Sequence, residues 1–140
     1  MISAQRENLR RYYLTCWQKQ QAGQVLEGLE KQVAAVILEH PEYHPILANT
    51  DQALQQDYAP EEGNTNPFLH MGLHLGLREQ VSTDRPVGIR DLYENLAERY
   101  GQHETEHLMM ECLVANLWQA QQQQQPPDEH AYLACLVKLG

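Results

Sequence analysis

Apolar residues recur along this chain at steps of three and four, the period of an amphipathic helix. Leu9, Tyr12, Tyr13, Cys16 and Trp17 share one face of a predicted first helix over residues 4–20, and Gly23 ends or interrupts it. Leu26, Leu29, Val33, Val36 and Ile37 form the buried stripe of a second helix that begins near Gln24. That helix should stop at Glu39-His40-Pro41, because a residue preceding proline is pushed out of the α region. Pro45 opens a short helix with Ile46, Leu47 and Leu54, and Tyr58 to Thr65 reads as a loop rich in Pro, Gly, Asn and acid. Asn66-Pro67 joins a good N-cap residue to a good first helical residue, so a helix is expected from there to about Val81. After a turn around Pro86, Ile89, Leu92, Tyr93, Leu96 and Tyr100 keep helical spacing, with Gly101 as the stop. The longest predicted helix covers residues 102–122, with Leu108, Cys112, Ala115 and Trp118 among its apolar positions. Its glutamine run, Gln121 to Gln125, reads as a solvated helix end closed by Pro126-Pro127. Asp128 caps a last helix that reaches Lys138 and buries Tyr132, Leu133, Leu136 and Val137.

Few aromatic residues and almost no β-branched runs accompany this pattern, so local propensity favours helix nearly throughout. The expectation is an all-α fold, a compact single-domain bundle of about six or seven helices over residues 1–140. The formal charge is −9, and the only basic cluster is Arg6, Arg10 and Arg11, which argues against nucleic acid as a partner. No apolar run exceeds Val33 to Leu38, far short of a membrane span. The first residues are polar without an apolar signal segment, so a cytoplasmic location is expected. Cys16, Cys112 and Cys135 are odd in number and lack CxxC spacing. They read as buried thiols in a reducing compartment rather than as a disulfide frame.

The composition leaves seven histidines to be explained, and six of them form three pairs four positions apart: His40 and His44, His70 and His74, His103 and His107. Chance would place about 0.3 such pairs in a chain of this length and histidine content. Residues four apart on a helix lie one turn above each other on one face, so two imidazoles can aim at a single point, as metal ligands do. His70, His74, His103 and His107 fall on predicted helices and are the leading ligand candidates. His40 and His44 each precede a proline, so they sit at a turn and need not point the same way.

Two carboxylates stand in register with the third pair. Glu111 continues the face of His103 and His107, and Glu104 with His107 makes a Glu-x-x-His pair, the spacing of dinuclear iron and manganese sites in helical bundles. Only one such motif is present, where those sites use two. Imidazole suits Zn, Fe, Mn, Ni or Cu without distinguishing them here, and a divalent transition metal is the expected cofactor. Met71, Met109 and Met110 lie near the histidines, where thioethers would suit Cu(I), but at helical spacing they read as core fillers. His103-Glu104-Thr105-Glu106-His107 places a Glu beside a His pair with the HExxH spacing of zinc proteases, but its sequence context gives no substrate groove, and neither a phosphate loop nor a nucleophile elbow is present.

Three segments, His40-Pro41-Glu42-Tyr43-His44, the stretch from Asn66 to His74 with Glu79-Gln80 beyond it, and the stretch from Glu106 to Leu113, are joined by Trp17, Lys19, Ala22 and Gly23 early and Trp118-Gln119-Ala120-Gln121 late. With these the chain resembles the DUF1841 family of short bacterial proteins over nearly its whole length. The resemblance implies a soluble bacterial protein and supplies no catalytic residue. The residues therefore support two readings. One is a small helical metal-binding protein with a His-rich or mixed His and Glu site, drawn from His70, His74, His103, His107, Glu111, Glu104, His40 and His44, and with no substrate or reaction indicated. The alternative is a non-enzymatic helical interaction module whose paired histidines are structural. The first helix, with two adjacent tyrosines, would offer a surface for a homodimer.

Overall fold

A computed structural model describes residues 4–58 and 66–140. Among the described residues there are eight α-helices, one short 3₁₀ turn and no strand, so the all-α expectation holds. The helices are α1 (Ala4–Gln21), α2 (Leu29–Leu38), α3 (His44–Ala48), α4 (Thr50–Gln55), α5 (Pro67–Thr83), α6 (Ile89–Tyr100), α7 (Gln102–Gln123) and α8 (Glu129–Val137), with the 3₁₀ turn at Pro41–Tyr43. Extra elements arise because the short helix expected after Pro45 is divided at Asn49, whose side chain accepts from the Gln52 N–H and starts a new helix. The loop expected over Tyr58 to Thr65 falls, beyond Tyr58, outside the described residues.

The chain divides into two compact units, Met1–Leu75 and Gly76–Gly140. In the first, α1 packs against α2 and α4. Tyr13, Leu14, Cys16 and Trp17 of α1, Val33, Val36 and Ile37 of α2, and Phe68 and Met71 from α5 make up its buried core with Leu47, Ala53 and Leu54. Helix α2 starts later than its apolar pattern implies. Gly28 adopts φ +50 at its N-cap, and the Glu30 carboxylate reaches back to accept from the Glu27 N–H. Leu26 is consequently only half-buried and Leu29 is exposed. Tyr13 and Tyr12, expected on the apolar face of α1, pack against this core, Tyr13 fully and Tyr12 partly.

Helix α5 begins as its sequence predicts, with the Asn66 side chain accepting from the N–H groups of Phe68 and Leu69. In the second unit α6 lies on α7, and α7 and α6 both meet α8. Ile89, Leu96, Met109, Met110, Leu113, Tyr132 and Leu136 are buried there, whereas Val137 and Trp118 are exposed. The Asp128 side chain caps α8 by accepting from the Ala131 N–H.

One expectation is overturned in this unit. Cys112 and Cys135 are not free thiols but a disulfide joining α7 to α8, with Cα atoms 5.8 Å apart. Their separation of 23 residues carries no motif spacing, and the pairing is produced by the α7–α8 packing, which brings the two helices together across the Pro126-Pro127 turn. Cys16 is buried and free, and burial raises its thiol pKa. No described helix is long and apolar enough to cross a membrane.

Candidate metal centre

The site in the first unit is assembled by two local devices. Helix α2 ends at Leu38, and helix ends leave carbonyl groups without an intrahelical donor. His40, held by the following Pro41 at φ −127 and ψ 66, turns its ring back so that Nδ1–H donates to the Val36 carbonyl at 2.7 Å. His44 serves the next carbonyl, its Nε2–H donating to Ile37 O at 2.9 Å. The spacing of this first pair is thus explained by two adjacent carbonyls at the end of α2, and it separates the two rings in role. His44 has its Nε2 committed to the backbone and its ring 4.4 Å from that of Trp17. His40 has Nε2 directed away from α2.

The second device is α5 itself, which sets His70 and His74 one turn apart on one face. The His74 Nε2 lies 3.1 Å from the His40 Nε2 and 3.2 Å from the His70 Nε2. Ligand atoms of these three histidines lie within 4.8 Å of one another. His74 is 0% exposed and His40 2%, while His70 is half-buried. Tyr43 forms one wall, its ring stacked on His40 at 5.5 Å and set edge-on to His70 at 6.2 Å. Burial first, and the neighbouring Glu42 second, raise the Tyr43 phenol pKa, so it stays a neutral wall.

These separations decide what the cluster can do. Two nitrogens each about 2.05 Å from one ion, at an angle near 100°, stand about 3.1 Å apart. The two measured Nε2 separations match that figure. The hydrogen on His40 Nδ1 leaves Nε2 as the lone-pair nitrogen of the neutral ring. An outer hydrogen bond of this type, from ring N–H to a backbone carbonyl, is the usual means by which a metal-binding histidine is oriented. The same two contacts are also of hydrogen-bond length, so a structural network among the rings is compatible with them as well.

The remaining sequence candidates lie on α7 in the second unit. His103 and His107 stand with ring centroids 4.3 Å apart, His103 exposed and His107 half-buried. Glu104 and Glu111 are exposed. Met71, Met109 and Met110 are buried, consistent with core packing.

Two buried charges were not among the sequence candidates. Glu106 is 2% exposed and receives two hydrogen bonds from Arg78, from Nε at 2.9 Å and from Nη2 at 3.1 Å. Arg10 is equally buried. Both occupy places on an apolar stripe: Glu106 precedes Met109, Met110 and Leu113 by three, four and seven residues, and Arg10 precedes Tyr13, Leu14 and Trp17 likewise. Following each stripe back by one turn would have found them.

An all-α chain that gathers three histidine nitrogens inside its first unit is compatible with a metal site there or with a structural role for the cluster. By sequence it belongs to the DUF1841 family, a domain of unknown function, which it matches over residues 5–138. No curated protein and no solved structure matches the chain.

Proposed function

We propose that this protein binds one divalent transition metal ion through Nε2 of His40, His70 and His74. The observation that carries the reading is the pair of Nε2 separations, 3.1 and 3.2 Å, around a ring whose Nδ1–H is already anchored to the Val36 carbonyl. Three imidazoles suit Zn, Fe, Ni or Cu, and with Mn accepted where oxygen ligands join. A bound ion would supply Lewis acidity. The protein's own part is to hold the nitrogens, with the Tyr43 ring packed against His40 and His70.

The test is metal analysis of protein purified without a histidine tag. The expected result is about one equivalent of transition metal per chain, or its uptake on titration, with absorption spectroscopy showing imidazole nitrogen near 2.1 Å. His40→Ala, His70→Ala and His74→Ala should each weaken binding by about 10- to 100-fold or more. His44→Ala should retain the metal, since its nitrogen is engaged with Ile37. Absence of binding by every metal tried, or equal affinity in the wild type and the three core variants, would overturn the reading.

A further inference from the structure

We propose that the first unit also binds a small amphipathic carboxylate, with its head at Arg10 and Arg6 and its apolar body along Tyr13, Phe68 and Leu69. The place is a cavity of about 450 Å³ whose described walls include these five residues and Gly72. Its size lies within the range of roughly 300–1,000 Å³ typical of small-molecule sites. The occupant is set by charge. Arg10 is 2% exposed, and its Nη1 donates to the carbonyls of Ala53 at 3.2 Å and Gln56 at 2.7 Å at the end of α4. Those bonds account for one side of the guanidinium. Its plane faces aromatic rings, with Cζ 5.0 Å from the Phe68 centroid and 5.6 Å from that of Tyr58.

Nη2 has no hydrogen-bond partner among the described residues. None of the described hydrogen bonds of Arg10 reaches a carboxylate. A buried cation bonded only to carbonyl oxygens and ring faces, with the Asp57 carboxylate acting on it without a hydrogen bond, is under-compensated, and an anion in the adjoining cavity would complete it. Burial and the neighbouring Arg6 hold the Arg10 pKa below its ordinary value, which agrees with a cation short of negative charge. Arg6 stands at the solvent side, its contact to Asp57 at 3.2 Å being a pair between exposed groups that water weakens and a ligand can replace. Apart from Asn66 and the Tyr13 hydroxyl the rest of the wall is apolar, and Leu69 is 62% exposed, so a purely inorganic anion would leave that surface in water.

Calorimetric titration of the full chain with octanoate, 1-octanol and inorganic phosphate tests the proposal, with EDTA present so that any carboxylate bound to a metal at the histidines is excluded. Octanoate should bind at one site per chain, with octanol and phosphate each about tenfold weaker or more, because one lacks the charge and the other the apolar body. Arg10 also holds the carbonyls at the end of α4, so its replacement removes a structural contact along with the proposed anion site. Gly72→Leu is the cleaner variant. A Cβ at Gly72 meets only the Tyr13 hydroxyl, at an ordinary 3.7 Å, so the longer side chain enters the cavity without displacing backbone. It should weaken octanoate by about tenfold or more while leaving helicity and metal uptake unchanged. Equal affinity for octanoate and octanol, phosphate binding as tight as octanoate, no octanoate binding, or full binding by folded Gly72→Leu would each overturn it. Because the cavity and the histidine cluster are read out by different ligands, failure of one leaves the other standing.

Discussion

At the scale of single residues, the ionic contacts of the first unit differ in what they can be asked to do. Lys19 Nζ donates to the Glu30 carboxylate at 2.6 Å and Glu30 also accepts from the Glu27 N–H, tying the end of α1 to the start of α2. The hydrogen bond from Lys19, then that from Glu27, lowers the Glu30 pKa below 4.5, and the same Glu30 contact raises Lys19 above 10.5. A carboxylate depressed in the folded state adds stability above its unfolded pKa and loses it as pH falls through the folded value. A raised lysine adds stability below its unfolded pKa and loses it as pH rises through the folded one. The pair therefore contributes across the whole neutral range and fades at both extremes. Glu30→Gln should lower the urea midpoint modestly at pH 7, and the difference from wild type should vanish once acid has protonated Glu30 in the wild type. A difference that persists unchanged in strong acid would show that charge is not the cause.

Residue identity also marks where the sequence was legible and where it was not. His70 and His74 were readable because helical spacing alone fixes their common face. His40 was harder to place: its direction depends on a backbone carbonyl left open at the end of α2 and on the turn that Pro41 imposes. Nothing in the spacing of His40 and His44 says that one ring joins the cluster and the other turns to Ile37. Buried Arg10 and Glu106 escaped notice because charged side chains are ordinarily assigned to the solvent.

Among the elements, helix identity followed the apolar period closely, as with α6, whose predicted and observed limits coincide at Ile89 and Tyr100. Boundaries moved where capping rather than periodicity governed, at Gly28 and Asn49. The α7–α8 disulfide was beyond sequence reasoning, since a pair of cysteines without motif spacing is matched only once the helices pack. Its closure of a chain segment of about this length should contribute roughly 3 kcal/mol. Cys135→Ser, or reduction of the wild type, should therefore lower the thermal midpoint of the second unit, whereas Cys16→Ser should leave the effect of reductant intact. Calorimetry with and without dithiothreitol measures both. Insensitivity of unfolding to reductant would mean that the bond contributes nothing to the folded state in solution.

For the molecule as a whole, the two units need not respond alike to a metal. A ligand that binds only the folded form stabilises it by about 2.7 kcal/mol at a free concentration of 100 times its Kd. The three nitrogens belong to the α2 end and to α5 in the first unit, so metal should slow amide hydrogen exchange most over residues 34–44 and 67–75. Exchange mass spectrometry on apo and metal-loaded protein checks this; uniform protection, or protection elsewhere alone, would place the ion at another site. The charge of −9 has a separate meaning at this scale. It favours solubility and retards capture of free anions by long-range repulsion, so the Arg6 and Arg10 corner must act through close contact rather than by attraction from a distance.

The disulfide has one more consequence. Between its two cysteines runs the end of α7 with the exposed glutamines Gln121 to Gln125 and the turn that follows. That exposed stretch lies inside a covalent ring, so a protease that nicks the glutamines does not release the C-terminal helix. The severed chain stays one molecule, holding both new ends beside each other, and separates into two fragments only in a reducing environment. Turnover of this protein by a single cut is thereby made conditional on the redox state around it.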